Sequence, residues 1–248
     1  MKVIAIYSIK GGVGKTATAV NLAFAAASEK NNVLLVDMDP QAASTFYLEI
    51  VDNSEQQKSK GLPDKKNLEN LIKETNYKHL DLLPADIRYR QLDSFISDMK
   101  NSNKWLRKLL KPIKKQYDYI IIDCPPNITA LSKNILKNSD AILVPVIPTT
   151  LSARTYEQLR SFFIEEKFDH KKLHPFFSMV ERRKIMHLDT MEAFSRIHPE
   201  CINIVIPYNA QVEKMGEYMA PIVHKYPYAE ASLNFGKLWK KIKQKINL

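Results

Sequence analysis

Apolar residues recur along this chain in short unbroken runs, separated by segments of helical period. Seven runs read as strands: VIAIY (3–7), VLLVD (33–37), LDLLP (80–84), YIIID (119–123), AILVPV (141–146), FFSMV (176–180) and INIVIP (202–207). Several are continuously apolar, the pattern of parallel strands covered on both faces. Helical spacing fills the intervals 15–29, 86–99, 103–116, 128–137, 152–167, 185–198 and 229–246. Strand–helix alternation predicts an α/β fold of three layers, a mostly parallel central sheet flanked by helices and joined by right-handed crossovers. Ligands of such sheets bind at the carboxyl ends of the strands. The polar stretch VDNSEQQKSKGLPDKKN (51–67), with Gly61 and Pro63, breaks the pattern and reads as a surface loop. No shift of composition marks a second domain, so residues 1–248 are expected to form one.

Bulk properties narrow the class. The chain is 45% hydrophobic over 248 residues, enough to bury a large core. Its apolar runs are strand-sized, too short to span a membrane. The opening MKVIAIYS enters a strand pattern directly rather than a signal peptide, and an added N-terminal operator-binding domain is not expected, since strand one begins at Lys2. Two cysteines, Cys124 and Cys201, make no disulfide framework and point to a reducing cytoplasm. The formal net charge is +10. Within 1–50, Lys2, Lys10, Lys15 and Lys30 are balanced by Glu29, Asp37, Asp39 and Glu49; the excess lies in Lys104–Lys115, Lys171–Lys184 and Lys237–Lys245. Clustered positive charge attracts polyanions; solubility alone is the simpler reading.

The first chemical motif is SIKGGVGKTATAV (8–20), placed after a strand and opening a helix. Backbone N–H groups of such a loop, with the helix N-terminus, cradle phosphate oxygens. Lys15 would reach the β and γ phosphates and the Thr16 hydroxyl would bind Mg²⁺; a glycine-rich turn without ligand is the structural alternative. The usual G-x-x-x-x-G-K-[ST] pattern has glycine where this chain has Ile9, and a second lysine, Lys10, follows. With Lys10-Gly11-Gly12-Val13-Gly14-Lys15-Thr16, the chain resembles the ParA/MinD family, whose deviant phosphate loop reads KGGxGK[TS]. The resemblance implies ATP as the nucleotide, held by this run and Ala17. It also implies a nucleotide-sandwich homodimer in which Lys10 touches the phosphates bound by the other subunit, so that Lys10 and Lys15 both act in catalysis. The plain alternative for Lys10 is a solvated lysine beside a loop.

Two further stretches carry carboxylates. In VLLVDMDPQ (33–41), Asp37 and Asp39 are two apart, a spacing that puts both on one face of a strand. In the family's matching D-x-D-P-Q stretch, the first aspartate belongs to the Mg²⁺ network and the second positions the attacking water; the resemblance implies these roles for Asp37 and Asp39. Asp39 before Pro40 also suits a helix cap. YDYIIIDCPPN (117–127) ends a strand on Asp123, which fits a Walker B aspartate holding Mg²⁺ through a water. Cys124 reads as a small packing residue rather than a nucleophile. INIVIPYNAQVEKMGEYMAPIVHKYPYAEASLNFGKLW (202–239) resembles the family's last third, and there Pro207 and Asn209 match residues that hold the adenine. Asn offers a two-point pattern to that base; a turn after a strand is the alternative. The asparagine that relatives carry on the preceding strand is absent from Ser178-Met179-Val180, so ATP over GTP rests on resemblance. The resemblance covers 1–50, 117–160 and 200–242, while 51–115 matches only as a strand–helix pattern.

Two basic helices remain. In KWLRKLLKPIKK (104–115), Leu106, Leu109, Leu110 and Ile113 share one face and the basic residues the other, with Pro112 near the end. In NFGKLWKKIKQKINL (234–248), Phe235, Leu238, Trp239, Ile242 and Ile246 form a stripe beside Lys237, Lys240, Lys241 and Lys245. That helix has three readings: docked on the core with a solvated face, contacting DNA phosphates through its lysines, or lying in an anionic membrane surface. Arg182, Arg183 and Lys184 are further candidates for phosphate contact. No zinc pattern or helix-turn-helix points to sequence-specific reading.

The resemblance therefore implies a ParA-type ATPase in the cytoplasm, associated with the nucleoid. It would bind Mg-ATP, dimerise, hold DNA non-specifically, and hydrolyse ATP when a ParB-like or other cargo-adaptor protein stimulates it. The cargo would be a plasmid, a chromosome region or a protein assembly. A MinD-like membrane-associated positioning ATPase is the alternative. An electron-transfer ATPase like the nitrogenase iron protein needs cysteines for an Fe–S cluster, and this chain has two.

Overall fold

The computed structural model describes residues 1–48, 62–100 and 102–246. Among the described residues, eight strands build one sheet: β1 (Lys2–Ile6), β2 (Val33–Asp37), β3 (Lys73–Glu74), β4 (Leu80–Leu83), β5 (Tyr119–Asp123), β6 (Ala141–Val146), β7 (Leu173–Val180) and β8 (Ile202–Pro207). Their order across the sheet is β3-β4-β2-β5-β1-β6-β7-β8. Every pairing is parallel except β3 with β4. The helices are α1 (Lys15–Ser28), α2 (Ala43–Tyr47), α3 (Leu68–Leu71), α4 (Leu92–Asp98), α5 (Trp105–Leu109) and α6 (Ala130–Asn138). They continue with α7 (Thr150–Glu165), α8 (Ile185–Ile197), α9 (Ala210–Glu213), α10 (Met215–Tyr218), α11 (Ile222–Lys225) and α12 (Glu230–Ile246).

Strand alternation explains the layers. On β1, Val3 and Ala5 face a core shared with α4, α5, α6, α7 and α8, whereas Ile4 and Ile6 face a second core under α1, α11 and α12. The central strands are buried on both sides, which is why their sequences are unbroken apolar runs. Of the three readings for the last helix, docking is realised: Phe235, Leu238, Trp239, Ile242 and Ile246 of α12 are all buried. Glu29 after α1 ties it down, accepting from Trp239 Nε1 at 3.0 Å and pairing with Lys243.

Several expectations need correction. The interval 103–116 is not one helix: α5 stops at Leu109 and turns occupy 111–116. Pro112 is the cause, since it lacks an N–H and drives the residue before it out of helical conformation. The apolar set is buried all the same, Leu106, Leu109, Leu110 and Ile113 included. The interval 86–99 divides into a 3₁₀ turn at Ile87–Gln91, capped by the Asp86 carboxylate on Arg88 N–H, and α4. The two-residue β3 and the one-turn helices α3, α9, α10 and α11 are too short to leave a periodic pattern. Of the loop expected at 51–67, residues 51–61 lie outside the described residues, as does Glu49; Leu62–Asn67 form bends and turns.

Candidate functional site

Three strand ends meet at the carboxyl edge of the sheet. Ile6 of β1 pairs with Asp123 of β5, and Asp123 pairs with Asp37 of β2, so register alone brings these positions side by side. The loop that leaves β1 turns through Gly12 (φ 69°) and Gly14 (φ 88°) into α1. Gly14 caps α1 in the left-handed region, its carbonyl accepting from Thr18 N–H at 3.0 Å and Thr18 Oγ1 at 2.7 Å. A methyl group at Gly14 would stand 3.0 Å from Ser178 Oγ at the end of β7. Gly11 and Gly12 are exposed, and a Cβ added at either would meet nothing within 4 Å, so the loop offers open backbone to a ligand. Ile9, in place of the usual glycine, packs against the core.

The two lysines have different surroundings. Lys15 is buried, and its Nζ donates to the Lys10 carbonyl at 3.2 Å. Burial lowers its pKa; the carboxylates of Asp123 and Asp39 pull the other way. Lys10 is half-buried, and its Nζ donates to Ser152 Oγ at 3.0 Å, in the first turn of α7. Lys10 is thus held by its own chain rather than free in solvent.

The carboxylates divide by burial. Asp37 and Asp123 are fully buried. Asp37 Oδ2 accepts from Thr45 N–H at 2.8 Å and Thr45 Oγ1 at 2.7 Å, and Oδ1 from Asp39 N–H at 3.2 Å. Asp123 Oδ2 accepts from Ser44 Oγ at 2.8 Å, while its Oδ1 has no hydrogen-bond partner among the described residues. Burial pushes both carboxyls above the usual range; the adjacent Asp123 adds to the shift of Asp37, while Ser44, Thr16 and Lys15 oppose the shift of Asp123. A bare buried carboxylate oxygen is costly unless a cation or donor meets it. With the Thr16 hydroxyl and Asp37 nearby, the donors are all oxygen, the set a hard cation such as Mg²⁺ prefers. Among the described residues no three His, Cys, Asp or Glu side chains cluster as a metal cage, so a cation here would draw further oxygens from water and phosphate.

Asp39 departs from expectation in how it is placed. β2 ends at Asp37, so strand alternation does not aim Asp39. It sits half-buried past the strand end, its Oδ1 accepting from Gln41 N–H at 3.0 Å, and α2 starts only at Ala43, so it caps a turn rather than a helix. It is still close enough to influence Lys15 and Asp123 electrostatically. Cys124 is fully buried with its pKa raised by burial, a packing residue.

Pro207 ends β8, and Asn209 caps α9 by accepting from Gln211 N–H at 2.7 Å through Oδ1. The turn reading of Asn209 is realised, and its amide nitrogen stays available to a ligand. Arg182, Arg183 and Lys184 are exposed; Arg182 pairs with Glu230 at 2.7 Å and Lys184 with Glu181 at 2.5 Å. Lys237, Lys240, Lys241 and Lys245 lie on α12, with Lys237, Lys240 and Lys241 exposed and Lys245 half-buried. These basic residues are not part of the phosphate-loop cluster. Sequence reading missed Ser44, Thr45, Ser152 and Ser178; the polar pair Ser44-Thr45 just beyond D-x-D-P-Q was the one available sign.

With this geometry in view, comparison with known proteins is specific. The family model AAA_31, described as an AAA domain, matches residues 1–173. The chromosome partitioning protein ParA of Myxococcus xanthus (strain DK1622) is 30% identical over 231 residues, 90% of this chain and 81% of that one. Sporulation initiation inhibitor protein Soj of Bacillus subtilis (strain 168) is 40% identical over 146 residues, 58% of each chain. The ATP complex of a Cyanothece McdA variant has the same fold, with a TM-score of 0.79 at 20% identity over 98% of this chain and 96% of that one.

Proposed function

Because the chain belongs to the ParA/MinD-type ATPase family, we propose that it is a positioning or partition ATPase whose nucleotide state governs dimerisation. The observation that carries the reading is the bare, buried Asp123 oxygen beside a phosphate loop with two lysines. ATP binds with its phosphates on the N–H groups of Lys10–Ala17, and the buried Lys15 exchanges the Lys10 carbonyl for phosphate oxygen. Exchange is favoured because a carbonyl satisfies an ammonium less well than a phosphate does. Thr16, Asp37 and Asp123 would hold Mg²⁺, which would neutralise phosphate charge and favour the ionised form of both carboxyls. Asp39, at the loop's edge and less buried than Asp37, orients the attacking water. Asn209 donates to the adenine from its amide nitrogen, beside Pro207.

Lys10 completes the site of a second subunit in a homodimer. Negative charge spreads over the γ-phosphate during transfer, and an added cation stabilises it. Hydrolysis then depends on assembly. The relatives include a chromosome partitioning protein, which supports DNA as the surface and a ParB-like adaptor as the stimulator. Lys237, Lys240, Lys241 and Lys245, with Arg182, Arg183 and Lys184, supply phosphate contacts without base reading. α12 has its apolar stripe buried against the core, which favours this over a membrane-surface helix.

The test is Lys10→Ala, followed by nucleotide binding, sizing with ATP and adaptor-stimulated turnover. The variant is expected to bind ATP within about threefold of wild type while turnover falls by roughly two orders of magnitude. Full stimulated turnover would refute the role in trans.

A further inference from the structure

A second feature lies at the opposite, amino edge of the sheet. There a groove of about 590 Å³ opens beside the start of β1. Its rim carries Lys104, Arg107, Lys108, Lys111 and Lys114. All five are exposed, and none forms an ion pair among the described residues. The break at Pro112 creates this arrangement. A continuous helix would spread these cations along a rod; because α5 ends at Leu109, the residues before and after the break converge on one concavity. The one carboxylate in the lining, Asp140, is already engaged, its Oδ2 accepting from Val3 N–H at 2.7 Å. With five cations against this one carboxylate, the lining carries a net positive charge. Its floor is apolar, made by Leu106, Leu110 and Val3, with Met1 exposed at 37% beside them.

We propose that this groove docks an acidic segment of a partner protein, with its carboxylates on the basic rim and an apolar side chain packed on exposed Met1 and the lysine stems above the buried floor. Charge complementarity selects an acidic occupant. Shape selects a peptide among acidic occupants. A DNA duplex presents phosphates on a convex cylinder; it would touch the rim and leave the apolar floor uncovered. A lipid surface needs protruding apolar side chains, and here Leu106, Leu110 and Val3 are recessed, at 1%, 3% and 5% exposure. Lysine stems extend the apolar wall while their ammonium groups stay at the rim. β1 separates the groove from the phosphate loop by its own length, ~16 Å, so an occupant here would not touch a nucleotide bound there. The assignment does not rest on the ATPase reading.

The test uses the full chain and fluorescence anisotropy with a labelled peptide of about twelve residues, glutamates with two central leucines. An all-glutamate peptide of equal length, a short DNA duplex and phosphatidylglycerol vesicles are the comparison probes. Lys108→Glu/Lys111→Glu tests the groove, and Lys240→Glu/Lys241→Glu, with the same charge change, is the control; circular dichroism checks that both fold. The leucine peptide is expected to bind with and without ATP, at least about fivefold tighter than the all-glutamate peptide. The groove variant is expected to weaken it at least about tenfold, and the control less than about twofold. Equal loss in both variants, or equal affinity for the two peptides, would make the groove a diffuse basic surface and overturn the proposal. Failure of the leucine peptide to bind would do the same. Binding of the duplex or the vesicles, rather than the peptide, that depends on Lys108 and Lys111 would reassign the face to nucleic acid or lipid.

Discussion

At the residue scale, Gly14 carries two constraints that no side chain meets. Its φ of 88° is left-handed, and an added Cβ would lie 3.0 Å from Ser178 Oγ. Gly14→Ala is therefore expected to lower unfolding free energy by about 1–3 kcal/mol in urea titration. Gly11 is the control, because a Cβ added there would meet no atom within 4 Å; its alanine variant should stay within about 1 kcal/mol. His174 gives a second residue-scale prediction. Burial holds its pKa down to about 4, Lys245 adding and Glu200 opposing, and its Nδ1 has no hydrogen-bond partner among the described residues. Above pH 6.5 the ring is neutral in both folded and unfolded chains. As pH falls from 6.5 towards about 4, the unfolded chain takes up a proton that the folded one refuses, and stability drops. His174→Gln should remove up to about 3 kcal/mol of that acid-side loss, read as a smaller difference in Tm between about pH 7 and about pH 4.5. An unchanged difference would assign the loss to other groups.

At the element scale, α12 separates its two faces cleanly. Its apolar stripe builds the second core, and Lys240 and Lys241 point away from it. Reversing both to Glu is expected to leave stability within about 1 kcal/mol. Binding of duplex DNA should weaken, and the slope of log K against log salt should shrink by about 2. An unchanged slope would move the DNA contacts to another surface. The same scale shows what could be read before any fold was known. Runs such as YIIID and AILVPV located the central strands to within a residue, because burial on both faces forbids polar positions. KGGVGKT located the glycine turn between β1 and α1, since its glycines answer local backbone demands. Unread were the partners that reach the site from elsewhere: Ser44 on Asp123, Thr45 on Asp37, Ser152 on Lys10. Short hydroxyl side chains have no periodicity, and their contacts cross many residues of sequence. The helix over 103–116 failed for another reason: its apolar spacing continued through Pro112, and backbone chemistry stopped the helix where side-chain pattern did not.

At the scale of the whole molecule, the site joins β1, β2 and β5, so a ligand there braces the middle of the sheet. Mg-ATP at about a hundred times its Kd is expected to raise unfolding free energy by about 2.7 kcal/mol, measured by chemical denaturation. ATP with a chelator should give less, and Lys15→Ala none. The Lys10–Ser152 hydrogen bond, 3.0 Å long, bears on the same scale. Any symmetric assembly that draws Lys10 to a second subunit must break that bond twice, once in each chain. At about 1.5 kcal/mol per charge-assisted bond, the penalty is roughly 3 kcal/mol, near a hundredfold in the association constant. In such an assembly, a bond internal to one chain would raise by that factor the copy number at which half the chains pair.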